Sequence, residues 1–354
     1  MKLTVNKVLI LVLGLAYLVI AVLRKSIYSP GLVDWDTIAI LSSLIVVNTG
    51  LMYSGGLNYI AYRIMRMTTH RRVLMIIAVL LTSTMAMFLT NDVSLLVLIP
   101  ITVAIGGFAG KNLDDVIIIQ AIAANVGSML MPFGNPQNII LYRIYSLNFL
   151  DFLRTMAPIY LFSLAILLLF SVTLKDEKIE SQDTAPRTNS TFFSIYVLLL
   201  LITIVGMLTN ASIYLFIGVI AVSAVSLVFL EPQTILKVDY VLIAVFILIF
   251  LVMNSLKLLI SIPVHEGGTQ TFFYSILLSQ LISNVPTTVL LGKISSFPVL
   301  SYGVNIGGNG TVVASLANII ALRNLSGRNF LKFNKYSFLF LLITTAAGFL
   351  ILFR

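Results

Sequence analysis

The stretch LTNDVSLLVLIP, residues 89–100, sets Thr90-Asn91-Asp92 inside an apolar run in which Asp92 is the only charged residue between Val73 and Phe108. A carboxylate at membrane depth costs about 2.5–3.5 kcal/mol on insertion scales, so by default it marks a functional site. Two readings are open for Asp92. It binds a cation or carries a proton, or it caps the helix that leaves the triplet by accepting backbone N–H bonds.

The rest of the composition makes lipid the solvent. Hydrophobic residues are 59% of the 354, charged residues only 10%, and mean hydropathy is +1.06. A soluble domain carries about 25% charged residues, and this chain cannot cover a globule with polar surface. Residues 1–25 lack a small-residue cleavage pattern and read as a first span, not a signal peptide. The net charge of +9 lies in short loops between apolar runs. That is the signature of membrane topology and not of a nucleic-acid-binding face. The absence of Cys excludes disulfides and thiolate metal sites. No P-loop, GxSxG, HExxH or Cys/His spacing is present, so the chain reads as no enzyme, with no cofactor and no metal beyond Na⁺.

A helix crosses the hydrocarbon with about 20 residues. The runs 7–23, 36–53, 156–173, 191–208, 211–230, 240–256 and 331–352 meet this length. Two more, 113–147 and 297–324, are interrupted by Gly, Asn and Pro and read as broken helices. Runs 71–108 and 268–295 carry a polar triplet near the middle and read as re-entrant hairpins. This yields an all-α polytopic protein with nine crossings. With the N-terminus cytoplasmic and the C-terminus external, 15 basic residues lie inside and 7 outside. Letting either hairpin cross weakens that bias. The expected location is the plasma membrane. GLNYIAYRIMRMTTH, 56–70, reads as an interfacial amphipathic helix.

The chain also repeats itself. Val33-Asp34-Trp35 recurs as Val238-Asp239-Tyr240, and LTND (89–92) as ISNVP (282–286). Asn125-Val126-Gly127 followed by Gly134-Asn135-Pro136 matches Asn305-Ile306-Gly307 followed by Gly308-Asn309-Gly310. The first repeat is 1–174, a cytoplasmic linker 175–190 follows, and the second repeat is 191–354. The first has one opening span fewer, so equivalent elements point in opposite directions, as in many secondary transporters. Backbone broken at membrane depth must line a cavity or be buried in protein. Freed half-helix N-termini there face anions, and freed carbonyls coordinate cations. Asp34, Asp36, Asp239, Asp114 and Asp115 are expected to cap helices. The adjacent His265 and Glu266 are too few for a metal site.

FLTNDVSLLVLIP, AANVGSMLMPFGNPQNIILY, QLISNVPTTVLL and GVNIGGNGTVVASLANII, in this order, resemble the two hairpins and two broken helices of the ion transporter superfamily. That superfamily includes citrate-transporter-like permeases, divalent-anion/sodium symporters, arsenite/antimonite efflux pumps and some Na⁺/H⁺ antiporters. The resemblance implies a scaffold domain, a mobile transport domain and homodimers, with a soluble ATPase partner for the arsenite branch. In the symporter branch both tips read Ser-Asn-Thr. Here Asn91 and Asn284 match, whereas Asp92 and Val285 depart. An Asp in the first tip is more like the arsenite-efflux and antiporter branches.

The expectation is a secondary active transporter with alternating access for a small ionic solute. Export of an arsenite-type oxyanion or weak acid in exchange for H⁺ is favoured, over Na⁺/H⁺ antiport and over citrate, dicarboxylate or sulfate permeation; a channel ranks lower. Solute-holding residues would be Asn91, Asp92, Asn135, Pro136, Asn284, Gly308, Asn309 and Thr311. The coupling ion, H⁺ or Na⁺, would be held by Thr90, Asn91, Asp92, Gly134, Asn138, Ser283, Asn284, Thr287 and Gly310.

Overall fold

Val33-Asp34 and Val238-Asp239 start helices for a reason visible in their hydrogen bonds. Asp34 accepts from the Thr37 N–H at 3.1 Å and Asp239 from the Leu242 N–H at 3.0 Å. Each satisfies a donor that a helix start leaves open. The computed structural model describes residues 2–26, 31–65, 68–173, 176–179, 188–230, 232–260 and 268–354. The His265–Glu266 pair and most of the linker lie outside the described residues.

Among these residues the regular structure is helical. The first part of the chain forms α1 (Lys2–Arg24), α2 (Trp35–Tyr53), α3 (Gly56–Met65), α4 (Arg71–Phe88), α5 (Asn91–Phe108), α6 (Asp114–Ser128), α7 (Pro136–Ile144) and α8 (Phe149–Thr173). The second forms α9 (Ser190–Leu208), α10 (Ile213–Leu230), α11 (Pro232–Ile235), α12 (Tyr240–Leu259), α13 (Thr269–Ile282), α14 (Asn284–Leu291), α15 (Phe297–Ile306), α16 (Leu316–Arg323) and α17 (Phe330–Phe353). Seven helical stretches are long and apolar enough to cross a membrane by length and composition. Two of the seven are α4 and α5, the arms of the first hairpin; α1 and α10 carry shorter apolar runs. Counting α6–α7 and α15–α16 as one discontinuous helix each, and leaving the hairpins aside, the described residues form nine spanning units.

The first hairpin stops partway along its neighbour. At its root Arg71 of α4 forms an ion pair with Asp115 at the start of α6. Further along, Gly127 of α6 lies so close to α4 that an added Cβ would meet the Ser83 carbonyl at 2.1 Å. The chain then turns, and α5 returns along α6, Thr102 donating to Gln120 at 3.0 Å. The tip therefore reaches the break between α6 and α7 and no further. In the second hairpin α13 runs beside α15 from Gly268 near Val299 to Ser279 near Gly307. Its return arm α14, eight residues, is about 12 Å long at 1.5 Å per residue, too short to cross.

The two discontinuous helices lie antiparallel. Asp114 at the start of α6 accepts from the Ser326 N–H beyond α16, and Asn125 near the end of α6 donates to Asn318 near the start of α16. Likewise Tyr145 just after α7 donates to the Ser295 carbonyl just before α15, while Asn138 of α7 meets Asn305 of α15.

Two expected caps, Asp36 and Asp114, are otherwise engaged, and a third, Asp115, is shared. Asp36 pairs with Arg143 at 2.7 Å, tying the start of α2 to the end of α7. Asp115 pairs with Arg71 while also accepting from the Val116 N–H at 3.1 Å, and Asp114 reaches Ser326. All three lie in first turns, where the exposed N–H donors sit, but their carboxylates reach partners on other elements. In α3, Ala61, Tyr62 and Met65 are buried while Tyr59, Ile60 and Ile64 stay exposed beside Arg63, an apolar outer face suited to the membrane interface. The described piece of the linker straps the hairpin root. Arg71 N–H donates to the Glu177 carbonyl at 2.8 Å, Ile179 N–H to the Thr69 carbonyl at 2.9 Å, and Lys111 pairs with Glu177 at 3.0 Å.

Candidate functional site

Both hairpin tips are held in a backbone conformation that side chains avoid. Thr90 has φ 114°, ψ 152° and Ser283 has φ 75°, ψ 155°. That region is nearly reserved for glycine and costs about 1–3 kcal/mol per residue, persisting only where surrounding contacts enforce it. The contacts are equivalent at the two tips. Asn91 N–H donates to the Gly134 carbonyl at 3.2 Å, and Ser283 Oγ donates to the Ala314 carbonyl at 3.2 Å. Gly134 and Ala314 each precede the N-cap of the second half-helix. That cap is Asn135 for α7, accepting from Asn138 N–H at 2.8 Å, and Ser315 for α16, accepting from Ala317 N–H at 3.3 Å.

Behind the tips, the two breaks are cross-linked by a reciprocal set of buried side chains. Asn305 Nδ2 donates to Asn138 Oδ1 at 2.8 Å, and Asn125 Nδ2 donates to Asn318 Oδ1 at 3.0 Å. Asn135 Nδ2 donates to Asn305 Oδ1 at 3.1 Å, and Ser315 Oγ donates to Asn125 Oδ1 at 3.0 Å. The partners correspond at one constant sequence separation: Asn125 with Asn305, Asn135 with Ser315, Asn138 with Asn318. The hydrogen bonds thus align Asn135 with Ser315, not with Asn309 as the repeated Gly-Asn suggested. Each such bond between uncharged groups is worth about 1 kcal/mol net, and losing one partner in a buried site costs about 1–3 kcal/mol.

The same amides satisfy the carbonyls released by the breaks. Asn138 Nδ2 lies 3.0, 3.2 and 3.0 Å from the carbonyls of Ser128, Met129 and Met131. Asn318 Nδ2 is 2.9 Å from those of Gly308 and Thr311. Gln280 Nε2 bonds the carbonyls of Gly307 and Asn309 at 2.7 and 2.9 Å, and its Oε1 takes the Thr311 N–H at 2.8 Å. Gly310, at φ 102°, passes so close to Gln280 that a Cβ there would meet Oε1 at 2.3 Å; only glycine fits.

In front of this network lies a cavity of about 340 Å³. Its polar wall is made by Asn91, Asp92, Pro136, Gln137, Ser283, Asn284 and Ser315, and its apolar wall by residues of α1 and α12, among them Val12, Phe246 and Met253. Four helices, α5, α7, α14 and α16, start on its edge, their first residues Asn91, Pro136, Asn284 and Leu316 all lining it. Asp92 is the one charged side chain among the lining residues; no Lys or Arg is there. The asparagines of both tips reach towards the breaks: Asn91 Nδ2 donates to Asn125 at 3.4 Å, and an added Cβ at Gly308 would meet Asn284 Nδ2 at 2.9 Å.

The expected residues thus divide into two shells. Asn91, Asp92, Pro136, Ser283 and Asn284 line the cavity together with Gln137 and Ser315, which the sequence left unmarked. Asn135, Asn138, Gly308 and Asn309 stand behind it in the cross-link, with Gly134 contacting the first tip. Thr287 turns its hydroxyl to the Ser283 carbonyl at 2.8 Å, and Thr311 is tied to Gln280. Neither is among the residues that line the cavity. Asn318 and Gln280 also escaped the sequence reading. The equal spacing of Asn125 to Asn138 and of Asn305 to Asn318 was the available signal for the former.

A family described as citrate transporter, CitMHS, matches residues 3–298. The chain is 34% identical over 303 residues to the uncharacterized transporter MJ0456 of Methanocaldococcus jannaschii, covering 84% of this chain and 82% of that one. It is 30% identical over 341 residues to the inner membrane protein YbiR of Escherichia coli, covering 91% and 89%. A more distant relative, putative transporter arsB of Dictyostelium discoideum, is 26% identical over 41% of this chain and 27% of its own length.

Proposed function

The chain belongs to the citrate transporter family CitMHS and is a multi-pass membrane transporter, and from that premise we propose that it moves a small inorganic oxyanion or weak acid by alternating access, coupled to a cation at Asp92. The observation that carries the reading is the charge pattern of the cavity. Four helix N-termini border it, each equivalent to about +0.5 elementary charge. Against about +2 from these ends stands one carboxylate, so the site is net positive by about one charge with Asp92 ionised and by about two with it protonated. An anion is therefore held more tightly once Asp92 is neutralised. Proton and anion bind together, which is equivalent to carrying the weak acid and favours cotransport over the exchange for H⁺ expected from the sequence. The same holds for a sodium ion seated at the carboxylate. Arsenite and antimonite fall in this class, as do citrate and dicarboxylates.

In this reading Asn91, Gln137, Asn284 and Ser315 orient the solute by hydrogen bonds, and the apolar wall of α1 and α12 is the surface along which the tips and breaks move. The inverted pair of repeats, 1–174 and 191–354, supplies the two alternative openings. The cross-linked amides move as one body, since separating them exposes buried polar groups.

The test is solute-driven H⁺ and Na⁺ movement in proteoliposomes, with arsenite, citrate, succinate, sulfate and Na⁺ alone supplied in turn. One solute is expected to drive coupled flux in the native protein that Asp92→Asn abolishes. Flux that ignores pH and Na⁺ in the native protein sinks the coupled-carrier reading.

A further inference from the structure

We infer that the coupling cation, a proton carried on water or a sodium ion, is received in a side chamber against Asn48 and Asp92, and not in the helix breaks. The inference deepens the transport reading above and rests on it.

The breaks first. Carbonyls that have lost their helical partners are ligands for a hard cation. Here those of Ser128, Met129 and Met131 surround the Asn138 amide, those of Gly308 and Thr311 hold the Asn318 amide, and Gln280 takes Gly307 and Asn309. In each break an NH₂ group stands where a cation would stand. A cation entering there displaces a buried amide, which costs about 1–3 kcal/mol for the group left unpaired.

The chamber is a separate cavity of about 90 Å³ between α2, α5, α7 and α12. That is well above the roughly 10–15 Å³ that a single water needs. Asn48, 2% exposed, lines it. Its Nδ2 donates to the Leu89 carbonyl at the first tip, while its Oδ1, buried, has no hydrogen-bond partner among the described residues. A buried amide oxygen left open is costly, and a neutral oxygen of this kind suits a hydrated proton or Na⁺. Thr49, Thr90 and Asp92 add oxygens to the same lining. The charged groups facing the chamber are Asp92, Asp239 and Lys237, the last set over the Tyr53 ring at 4.4 Å. These side chains alone sum to one negative charge, set against the positive N-terminal ends of α5 and α7 that the chamber shares with the central cavity.

Asp92, Pro136, Leu242 and Phe246 line both the chamber and the central cavity. A cation on one side and a solute on the other meet at one carboxylate. The chamber extends from Asp92 to Lys237 and Asp239 at the start of α12.

The experiment uses the full chain in detergent without solute. Thermal stability is followed through a Na⁺ titration against choline at constant ionic strength, and separately through a pH titration. The native protein is expected to respond to one of the two cations. Asn48→Leu should shift that midpoint at least tenfold towards weaker binding, and Asn48→Asp should shift it towards tighter binding, a gain that misfolding cannot imitate. Asn138→Ala and Asn318→Ala should lower stability and leave the midpoint in place. A native midpoint in both Asn48 variants, or a midpoint moved by the Asn138 and Asn318 variants, overturns the chamber. A full response in Asp92→Asn with the Asn48 effects intact overturns instead the assignment of coupling to Asp92 and keeps the chamber.

Discussion

At the first hairpin tip Thr90 is followed by Asn91 and Asp92, which line the cavity; at the second, Ser283, Asn284 and Val285 stand in the same order on the same strained backbone. Both tips lean on the carbonyl that precedes a half-helix cap, Gly134 in one case and Ala314 in the other. Both send an asparagine towards the breaks. They part at the third residue, a carboxylate against an isopropyl group, and at what lies behind: the chamber with Asn48 borders the first tip, and its lining includes no residue of the second. The backbone is common property of the two halves, whereas the charge is confined to one. On the proposed function, the first tip serves a cation and a solute, the second a solute alone.

That comparison can be broken most severely at the charge. Asp92→Val makes the first tip resemble the second, and solute-driven cation movement in proteoliposomes should fall to that of empty vesicles. Adding Val285→Asp to this variant should not restore it, because the chamber with Asn48 does not reach the second tip. Restored coupling would make the two tips interchangeable.

Next in size is the cross-link. Asn305→Ala removes the partner of both Asn135 and Asn138, and the loss should be about 3 kcal/mol, the upper end for a buried partner removed. Ser315→Ala, which gives up one hydroxyl bond to Asn125 and a weak cap, should cost about 1 kcal/mol. Denaturation in detergent reads both.

A smaller effect distinguishes the two tips by strain. Thr90→Gly relieves a positive φ at a β-branched residue and should stabilise by about 1 kcal/mol. Ser283→Gly relieves the same strain but loses the bond to Ala314, so its net change should lie near zero. Equal gains at both would mean that the Ser283 bond contributes nothing.

The smallest effect is at the linker strap, whose described residues 176–179 grip the root of the first hairpin. The Arg72 N–H donated to Asp176, 3.0 Å long, holds that carboxyl below its ordinary range, with the nearby positive charges of His70 and Arg72 adding to the effect. A depressed carboxylate stabilises the folded strap above its unfolded pKa and loses that contribution as pH falls through the folded value. Hydrogen-exchange protection of the Arg72 amide, corrected for intrinsic rate, should therefore persist at neutral pH and disappear in acid. Asp176→Asn should remove that pH dependence.

Much of this architecture was legible in the chain because the membrane imposes one rule on every span. Twenty apolar residues, a cap such as Asp34 or Asp239, and a polar interruption can be read without coordinates. What could not be read was which amide meets which. Gly-Asn occurs in both breaks, and matching identical letters paired Asn135 with Asn309; the cap position is filled by Asn in one half and Ser in the other, and chemistry, not identity, is what the hydrogen bond selects. Asp36 and Asp114 misled for the same reason, and Asp115 in part. Their place in first turns is local and visible, while Arg143, Ser326 and Arg71 are distant in sequence. Asn48 carried no signal at all, since an asparagine within an apolar span says that a partner exists without saying where.

The crossed amides have a consequence for how the protein is made. A ribosome delivers Asn125 and Asn138 to the membrane long before Asn305 and Asn318 exist. Until then Asn138 can draw on the carbonyls of its own half, but its Oδ1 and the Asn125 amide wait for partners still to be synthesised. The first broken helix is thus a provisional object through most of translation, fixed only when the last third of the chain arrives.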